Sequence, residues 1–210
     1  MSSLLEIRGL VVSFGRSFSV GPMDLVTDHG AIHLVGPNGG GKTSLLRAIG
    51  GELRPSEGSV RVSGHDVQTS VEGRRQLAFV PSGPELPEFL TVREAYQFAA
   101  SLRGSPKWDG TPYCQAMDLE PSLLLGHASA GQRRKAELIC ALAADPAVIL
   151  LDETFAHLDE QSAHQLSEWV DEWSITRVVV LTHHGVPPIH VNEVFSVTAG
   201  SPVVRQSGLI

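Results

Sequence analysis

A glycine-rich stretch near the N-terminus has the residue types and the spacing that phosphate binding requires. Residues Gly36-Pro37-Asn38-Gly39-Gly40-Gly41-Lys42-Thr43 fit the pattern G-x-x-x-x-G-K-[ST] at every fixed position. The glycines allow positive φ and carry no side chain, so successive backbone N–H groups can turn toward one polyphosphate. Lys42 adds a cation for the β- and γ-phosphates, and Thr43 adds a hydroxyl for Mg²⁺. The stretch predicts a nucleotide-binding loop.

The segments on either side of this loop have the order that such a site needs. Residues 31–35 form an apolar run that predicts a buried strand entering the loop. The residues after the loop predict a helix whose apolar side contains Leu45 and Ile49. Its positive N-terminus would point at the bound anion, and Ser44 in its first turn is among the predicted contacts. The alternative is a flexible glycine turn before a chance lysine, and the strand, loop and helix order disfavours it.

Two later apolar runs end in residues that can do chemistry. Asp152 and Glu153 follow one run, and His183 follows the next. Because α/β sheets place ligands at the carboxyl ends of their strands, these side chains are candidates for the same site. Asp152 would hold the hydration shell of Mg²⁺, Glu153 would orient or deprotonate the attacking water, and His183 would donate to the γ-phosphate. A solvated acidic turn and a core histidine are the alternatives, and adjacent His184 leaves open which ring faces the site.

Composition limits the classes of function. At 210 residues, with 42% hydrophobic and 19% charged residues, the chain suits one globular domain. No apolar run approaches the roughly 20 residues that span a bilayer. The formal net charge of -7 argues against broad nucleic-acid binding, which needs a basic face. Cys114 and Cys140 predict neither a disulfide framework nor a metal site. The N-terminus lacks a secretory pattern, so we expect a cytoplasmic protein.

Strand and helix patterns alternate over most of the chain, which indicates a mainly parallel α/β sheet. Segments 4–8 and 10–12 predict edge strands of an additional antiparallel sheet. Residues 59–62 predict another short strand between turns at Gly58 and Gly64. Further strands and helices are predicted over 77–80, 133–144, 148–151, 161–173 and 178–181, with a closing hairpin around Gly200.

Residues from about 82 to 132 differ in character, because prolines separate short helical pieces. This segment predicts an inserted helical lobe. Its clearest helix begins at Thr91, which forms a capping-box pattern with Glu94. The predicted apolar stripe of that helix comprises Val92, Ala95, Ala99 and Leu102.

Together these motifs resemble those of the nucleotide-binding subunit of ATP-binding cassette (ABC) proteins, over nearly the whole chain. Phe14 resembles the aromatic residue that stacks on adenine, and the glycine-rich loop resembles the Walker A motif. Residues 148–153 resemble Walker B with its catalytic glutamate, residues 156–159 the D-loop, and residues 182–183 the switch-histidine motif. The most discriminating piece is Ala128-Ser129-Ala130-Gly131-Gln132, which is similar to the L-S-G-G-Q signature of the family.

The resemblance implies a P-loop NTPase (RecA-like) fold in the α/β class. Its mainly parallel core would carry an antiparallel β subdomain and an inserted helical subdomain. Within one ABC ATPase domain over 1–210, residues 1–81 and 133–210 would form the core with the β subdomain. Residues 82–132 would form the helical subdomain.

The resemblance also implies a site shared by two chains. Ser129, Gly131 and Gln132 would bind the γ-phosphate of an ATP held by a second chain, so that two ATPs are sandwiched between two chains. The Ser129 hydroxyl, the Gly131 N–H and the helix dipole are chemically suited to that contact. A plain helix cap is the alternative role of Ser129.

Some positions depart from the family pattern. Ser82 stands where the family has a glutamine that ligates Mg²⁺, so the predicted metal contacts are Thr43, Asp152 and Ser82. Serine is shorter and would reach the metal through water, which puts the hydrolytic rate in doubt. Ala128, Ala130 and Thr154 replace a leucine, a glycine and a proline of the family pattern.

The predicted function is ATP binding and hydrolysis that powers a membrane ABC transporter, with ATP and Mg²⁺ as cofactors. The predicted partners are separately encoded transmembrane permease subunits and a second ATPase subunit, identical or not, and no nucleic acid. Through the permease the chain would lie on the inner face of the cell membrane. A groove for a permease helix is predicted at Ser82, Pro84, Leu86, Pro87, Phe89 and Leu90, which are otherwise residues of the lobe core.

The short length favours export over import. The S-A-G-Q variant of the signature is similar to that of the small ATPase of the cytochrome c maturation heme exporter, although this does not identify heme as cargo. The alternative function is a soluble or weakly hydrolysing regulatory ABC ATPase that is not coupled to transport, which the change at Ser82 keeps open. A GTPase or small-molecule kinase is disfavoured, because the chain lacks an N-K-x-D motif.

Overall fold

The computed structural model describes residues 3–15, 17–83 and 86–206. The first half of the fold comprises β1 (Leu5–Phe14), β2 (Phe18–Thr27), β3 (Gly30–Val35), α1 (Lys42–Ile49), β4 (Glu57–Val62), β5 (His65–Asp66), α2 (Val71–Arg75), β6 (Leu77–Val80) and α3 (Val92–Leu102). The second half comprises α4 (Thr111–Ala116), α5 (Ala130–Leu142), β7 (Val148–Asp152), α6 (Glu160–Trp173), β8 (Val178–Thr182), β9 (Glu193–Ser196) and β10 (Val204–Arg205). Short 3-10 helices cover Leu125–His127 and Thr154–His157.

A six-stranded sheet in the order β10-β9-β3-β8-β7-β6 is the frame of the site. All neighbouring strands in it are parallel except β9 and β10, which form the closing hairpin. Leu34 lies opposite Thr182, and Thr182 lies opposite Asp152. The carboxyl ends of β3, β8 and β7 therefore meet at one edge of the sheet, as the sequence predicts.

The continuous apolar runs of β7 and β8 are explained by two hydrophobic cores, one on each face of this sheet. Leu150 and Val180 pack into the core that contains α1 and the antiparallel strands. Ile149 and Val179 pack into the core that contains residues of α3, α5 and α6. Because both faces are covered, each strand carries four consecutive apolar residues before its polar last residue, instead of alternating apolar and polar residues.

The antiparallel sheet has the order β2-β1-β4-β5 and corrects two sequence-based predictions. Segments 4–8 and 10–12 belong to the single strand β1, which pairs on both sides and is therefore internal instead of being an edge. Gly58 lies within β4 at φ +82°, where an added Cβ would be 2.3 Å from the Gly9 carbonyl oxygen. Close backbone approach, and not a turn, thus requires glycine there.

The helix α3 begins as predicted, with Thr91 and Glu94 forming a capping box. Val92 and Ala95 are buried, but Leu102 is 63% exposed, so the prediction of its place in the apolar stripe is wrong. Tyr96 takes up the buried face instead, with its ring edge-on to Trp108 at 5.9 Å between centroids. The subdomain bounds at 82 and 132 stay a prediction.

The predicted permease groove divides into buried and exposed residues. Leu86 and Leu90 pack against the core on the α3, α5 and α6 side of the sheet. Phe89 is 78% exposed, and Pro84 lies outside the described residues. Within the described ranges, no helix has both the length and the hydropathy needed to cross a membrane.

Candidate functional site

The glycine-rich loop connects β3 to α1. At two of its glycines, neighbouring atoms leave no room for a side chain. Gly36 has φ +157°, and an added Cβ would lie 2.0 Å from the Val197 carbonyl oxygen. Gly41 has φ +101°, and an added Cβ would lie 2.9 Å from Cβ of Val20. Gly36 and Gly41 are therefore required by close packing against Val197 and Val20 as well as by backbone conformation.

Lys42 is the first residue of α1, and its ammonium group is held against the loop. Its Nζ donates to the Gly36 carbonyl at 2.9 Å and to the Pro37 carbonyl at 3.1 Å. The side chain is 8% exposed. A cation and the N-terminus of α1 are thus fixed at the same place, and both favour a bound anion.

A cavity of about 520 Å³ opens beside this loop, a volume suited to a small-molecule ligand. Its lining residues are Phe14, Phe18, Asn38, Gly39, Gly40, Gly41, Lys42, Thr43, Ser44, Glu153 and His184. The structure therefore brings the loop, the predicted adenine contact and the predicted catalytic glutamate together. Phe14 is 49% exposed, and its ring centroid lies 5.7 Å from that of Phe18 across the hairpin between β1 and β2.

Asp152 is fully buried at the end of β7 and is anchored by two hydroxyl groups. Its Oδ2 accepts a hydrogen bond from Thr43 Oγ1 at 2.9 Å, and its Oδ1 accepts one from Thr182 Oγ1 at 2.7 Å. Thr182 Oγ1 also accepts from the Glu153 N–H at 2.9 Å. Thr43 of the loop, Asp152 of β7 and Thr182 of β8 are therefore joined in one hydrogen-bonded group.

Glu153 projects from the end of β7 in a left-handed conformation, with φ 51° and ψ 32°. Its Oε2 atom is buried and has no hydrogen-bond partner among the described residues. Its Oε1 atom lies 3.6 Å from Nε2 of His184. A carboxylate with an open acceptor next to a phosphate-binding loop has the position that a general base needs.

The two histidines after β8 differ in their surroundings. The predicted His183 packs edge-on against Phe155 at 5.6 Å between centroids, and its Nδ1 is buried without a partner among the described residues. Burial lowers the pKa of His183, an effect that nearby Glu153 opposes. His184, which the sequence left as the alternative, is the histidine that lines the cavity. The side-chain alternation rule stops at the strand end, so sequence could not decide between them.

Ser82, the third predicted metal contact, lies in the segment after β6 and is exposed. It is not among the described residues that line the cavity. Among the described residues, no hydrogen bond joins the Ser82 hydroxyl to Thr43 or Asp152, which are bonded to each other.

The signature residues also lie away from the cavity. Ser129 is exposed and caps α5, because its Oγ accepts from the Gln132 N–H at 3.2 Å. Gln132 Oε1 in turn accepts from the Ser129 N–H at 2.9 Å. This capping box uses a lone pair of the serine and leaves its O–H proton able to donate. Ser129, Gly131 and Gln132 thus belong to a separate helix N-terminus, at which Ser129 is exposed.

Comparison with known proteins places these motifs in a family. The family model described as "ABC transporter" matches residues 23–156, which is more than half of the chain. The "Sulfate/thiosulfate import ATP-binding protein CysA" of Mycobacterium tuberculosis is 32% identical over 204 residues, covering 92% of this chain and 58% of the relative. The protein of the same name from Synechocystis sp. is 35% identical over 192 residues, covering 84% of this chain and 53% of the relative. The chain thus spans little more than half the length of these curated relatives.

Solved structures give the same result for the fold. "Structure of ATP binding subunit of ABC transporter" matches with a TM-score of 0.85 and 26% identity, covering 93% of this chain and 86% of that one. "Dimeric structure of a post-hydrolysis state of the ATP-binding cassette MJ0796 bound to ADP and Pi" matches with a TM-score of 0.80 and 18% identity, covering 98% and 100%. By sequence match and by fold, the chain belongs to the ABC transporter family, as one of its ATP-binding cassettes.

Proposed function

We propose that this chain is the ATP-binding and ATP-hydrolysing subunit of a membrane transporter. One observation carries the proposal: the glycine-rich loop and the open carboxylate oxygen of Glu153 meet at one cavity. A binding protein needs the loop alone. A hydrolase also needs a base beside the γ-phosphate, and Glu153 meets that requirement.

The residues present fit a Mg²⁺ ion at Thr43 and Asp152. The Asp152 carboxylate is fully buried, yet it forms no ion pair with any basic side chain in the described part of the chain. No group of three or more His, Cys, Asp or Glu side chains surrounds a metal site in the described ranges. Mg²⁺ suits such a place, because it uses few protein carboxylates and takes its other ligands from phosphates and water. When bound there, Mg²⁺ would neutralise charge on the β- and γ-phosphates.

The protein groups divide the remaining work. Lys42 and the N–H groups of residues 38–44 bind the phosphates, and Phe14 packs on the base, with Phe18 behind it. Glu153 orients the attacking water and accepts its proton. One histidine of the pair His183 and His184 contacts the γ-phosphate, and His184 is the nearer to Glu153 in this structure.

The second half of the site comes from another ATPase subunit, either a copy of this chain or a different cassette. Ser129 presents a free O–H proton and the N-terminus of α5 on an exposed surface, outside the lining of its own cavity. A hydroxyl and a helix N-terminus bind phosphate well. We therefore propose that this segment contacts ATP held by the second subunit, as the resemblance to the family implies.

Transport requires membrane subunits, which we propose bind near the exposed Phe89 and anchor the chain at the inner face of the membrane. The relatives are named as sulfate and thiosulfate import proteins. The names of these relatives therefore support neither the predicted export nor the similarity to the heme exporter. The names favour import of a small anion as the starting hypothesis for the cargo.

A weakly hydrolysing regulator is the second candidate, favoured by one observation. Ser82 stands where the resemblance implies a glutamine that ligates Mg²⁺, and its shorter side chain is exposed and outside the cavity lining. Hydrolysis would then be slow with or without membrane subunits.

The proposal is tested by measuring phosphate release from ATP in the presence of Mg²⁺. The purified chain is assayed alone and together with the membrane subunits that copurify with it from native membranes. We expect turnover that Lys42→Ala abolishes and that membrane subunits stimulate. Phe89→Asp should remove the stimulation and spare basal turnover. Basal turnover that membrane subunits leave unchanged would favour the regulator, and turnover that survives Lys42→Ala would contradict the proposed site.

A further inference from the structure

The guanidinium group of Arg134 occupies a buried position between α5 and the end of β7, where it contacts three separate segments. The side chain is 3% exposed. Its Nη2 donates to the Asp152 carbonyl and, at 3.1 Å, to Thr154 Oγ1. Its Nη1 donates to the Pro81 carbonyl and, at 3.2 Å, to Glu137 Oε2. One side chain of the signature helix is thus bonded to the segment before Ser82 and to the segment that carries Asp152 and Glu153.

These partners surround the catalytic carboxylate along the chain. Asp152 and Thr154 are the neighbours of Glu153 on either side. Arg134 bonds the backbone carbonyl of Asp152 before it, and after it the hydroxyl of Thr154 and, at 3.5 Å, the Thr154 carbonyl. Glu153 has a left-handed backbone, a conformation that persists only where the surroundings impose it. The bonds from Arg134, together with the Thr182 hydroxyl at the Glu153 N–H, provide those constraints.

The same side chain belongs to the helix that presents the signature. Arg134 lies in the second turn of α5, and Ser129 caps the first turn of that helix. A shift of α5 would therefore move the guanidinium group and, through it, the carbonyl of Asp152 and the hydroxyl of Thr154. Arginine suits this role because its planar fork makes several hydrogen bonds in fixed directions.

Pro81 and Thr154 connect Arg134 to two of the departures from the family pattern. The Pro81 carbonyl that accepts from Arg134 immediately precedes Ser82. Thr154 replaces a proline, and its hydroxyl is an acceptor that proline lacks. The chain therefore has a buried link between α5, the segment at Ser82 and the Glu153 segment, built from residues other than the missing glutamine.

We propose that Arg134 is a positioning residue for ATP hydrolysis, which transmits the position of the signature helix to Glu153. The inference rests on the proposed ATPase function and concerns how one site residue is held. Arg134 does not touch the nucleotide in this account, so its loss should lower kcat and leave ATP affinity nearly unchanged.

The decisive variant replaces the buried pair with apolar residues, as Arg134→Met together with Glu137→Leu. Removing both charges avoids leaving one buried and unpaired, and such replacements are commonly tolerated. We expect cooperative unfolding near the wild-type temperature, an ATP dissociation constant within about threefold of wild type, and a kcat lowered about 100-fold, the loss that a small misplacement of a reacting group produces. Arg133→Met is the matched control, because Arg133 is on the same helix but pairs with exposed Glu88.

Thr154→Val is an independent test that keeps both charges. It removes one acceptor of the guanidinium group with little change in volume, and we expect kcat to fall about tenfold at unchanged ATP affinity. If either variant folds and retains wild-type kcat, or if kcat falls only together with ATP affinity and the unfolding temperature, the inference is overturned. Should the double variant not fold, Thr154→Val alone decides. A wild-type chain without turnover would instead contradict the proposed function on which the inference depends.

Discussion

Glu153 has a backbone conformation that few residues other than glycine and asparagine adopt, with φ 51° and ψ 32°. Such strain costs about 1–3 kcal/mol and persists where neighbouring groups enforce it. Here the enforcing groups are the Thr182 hydroxyl at its N–H and the Arg134 guanidinium on both flanking residues. With this backbone conformation, the Glu153 side chain lines the same cavity as the glycine-rich loop.

The glycine-rich loop offers a matched pair of substitutions. Gly41→Ala would add a Cβ 2.9 Å from Val20, whereas the Cβ of Gly39→Ala would meet no atom within 4 Å. Both positions have positive φ, so both variants carry backbone strain, but only Gly41→Ala also carries a clash. We expect it to lower the free energy of unfolding by about 1–3 kcal/mol more than Gly39→Ala in urea titrations. Equal losses in the two variants would contradict the packing account of the loop.

Among single residues, the motifs predicted most of the cavity lining, although Gly36, Pro37, Asp152 and His183 are not among the residues that line it. Asn38 to Ser44, Phe14 and Glu153 all line the cavity. Phe18 was not predicted, and the choice between His183 and His184 was left open. Phe18 reaches the cavity because β1 and β2 form a hairpin that no motif signals, and His184 lies beyond the strand whose alternation could have oriented it. The roles assigned to these side chains stay predictions.

At the scale of elements, the capping box of α5 has two functions in this account. Ser129 stabilises the helix through the Gln132 N–H and offers its proton to a phosphate. Thr91 caps α3 with the same geometry, its Oγ1 accepting from the Glu94 N–H at 3.2 Å, and it has no proposed ligand. A comparison of Ser129 with Thr91 can therefore distinguish the loss of a helix cap from the loss of a phosphate contact.

Ser129→Ala and Thr91→Ala should lose similar stability, about 1 kcal/mol each for a lost cap. Only Ser129→Ala should reduce ATP hydrolysis strongly, by about 100-fold, because a phosphate donor disappears with the hydroxyl. Chemical denaturation and steady-state phosphate release measure the two effects. If hydrolysis falls equally in both variants, or in neither, the Ser129 contact with ATP is wrong.

The parallel strands were predictable because burial on both faces gives continuous apolar runs, as in β7 and β8. The antiparallel sheet was harder to predict. β2 contains Gly21 and Pro22, a pair that usually indicates a turn, and its pairing with β1 is interrupted by irregular register around Leu10. Such long-range pairings leave little local signal, so the internal position of β1 was missed.

For the whole molecule, His33 couples the sheet to pH. It is 3% exposed in β3, and burial lowers its pKa, an effect that the His183 carbonyl opposes and that the nearby charges of His183 and Lys42 reinforce. In the unfolded chain the pKa of His33 is about 6.5. Below that pH the unfolded state binds a proton that the folded state resists, so this residue destabilises the fold as pH falls through about 6.5.

His33→Gln should therefore lose less stability than wild type between about pH 7.5 and about pH 5.5, measured by urea unfolding at each pH. The slope with pH is the informative quantity, because glutamine changes packing at every pH alike. His29→Gln, which replaces a histidine at an exposed position, is the matched control. Parallel profiles for His33→Gln and wild type would contradict the account.

The family matches confirm the predicted fold class and the predicted membership of the ABC transporter family. They do not support the preference for export, which rested on chain length. In the proposed assembly the cargo path lies in other subunits, so the sequence of this chain could not predict the direction of transport.

The whole-molecule claim is that each chain carries half of an ATP site and that ATP joins two halves. Sedimentation velocity of Glu153→Gln with Mg²⁺ and ATP tests it most directly, because this variant should bind ATP, lose most hydrolysis and so retain the closed state. We predict dimers with ATP and monomers without it, with Ser129→Arg in the same background remaining monomeric. Glu153→Gln that binds ATP yet stays monomeric at every concentration, or that turns over ATP at the wild-type rate, would contradict the account for an assembly of identical chains.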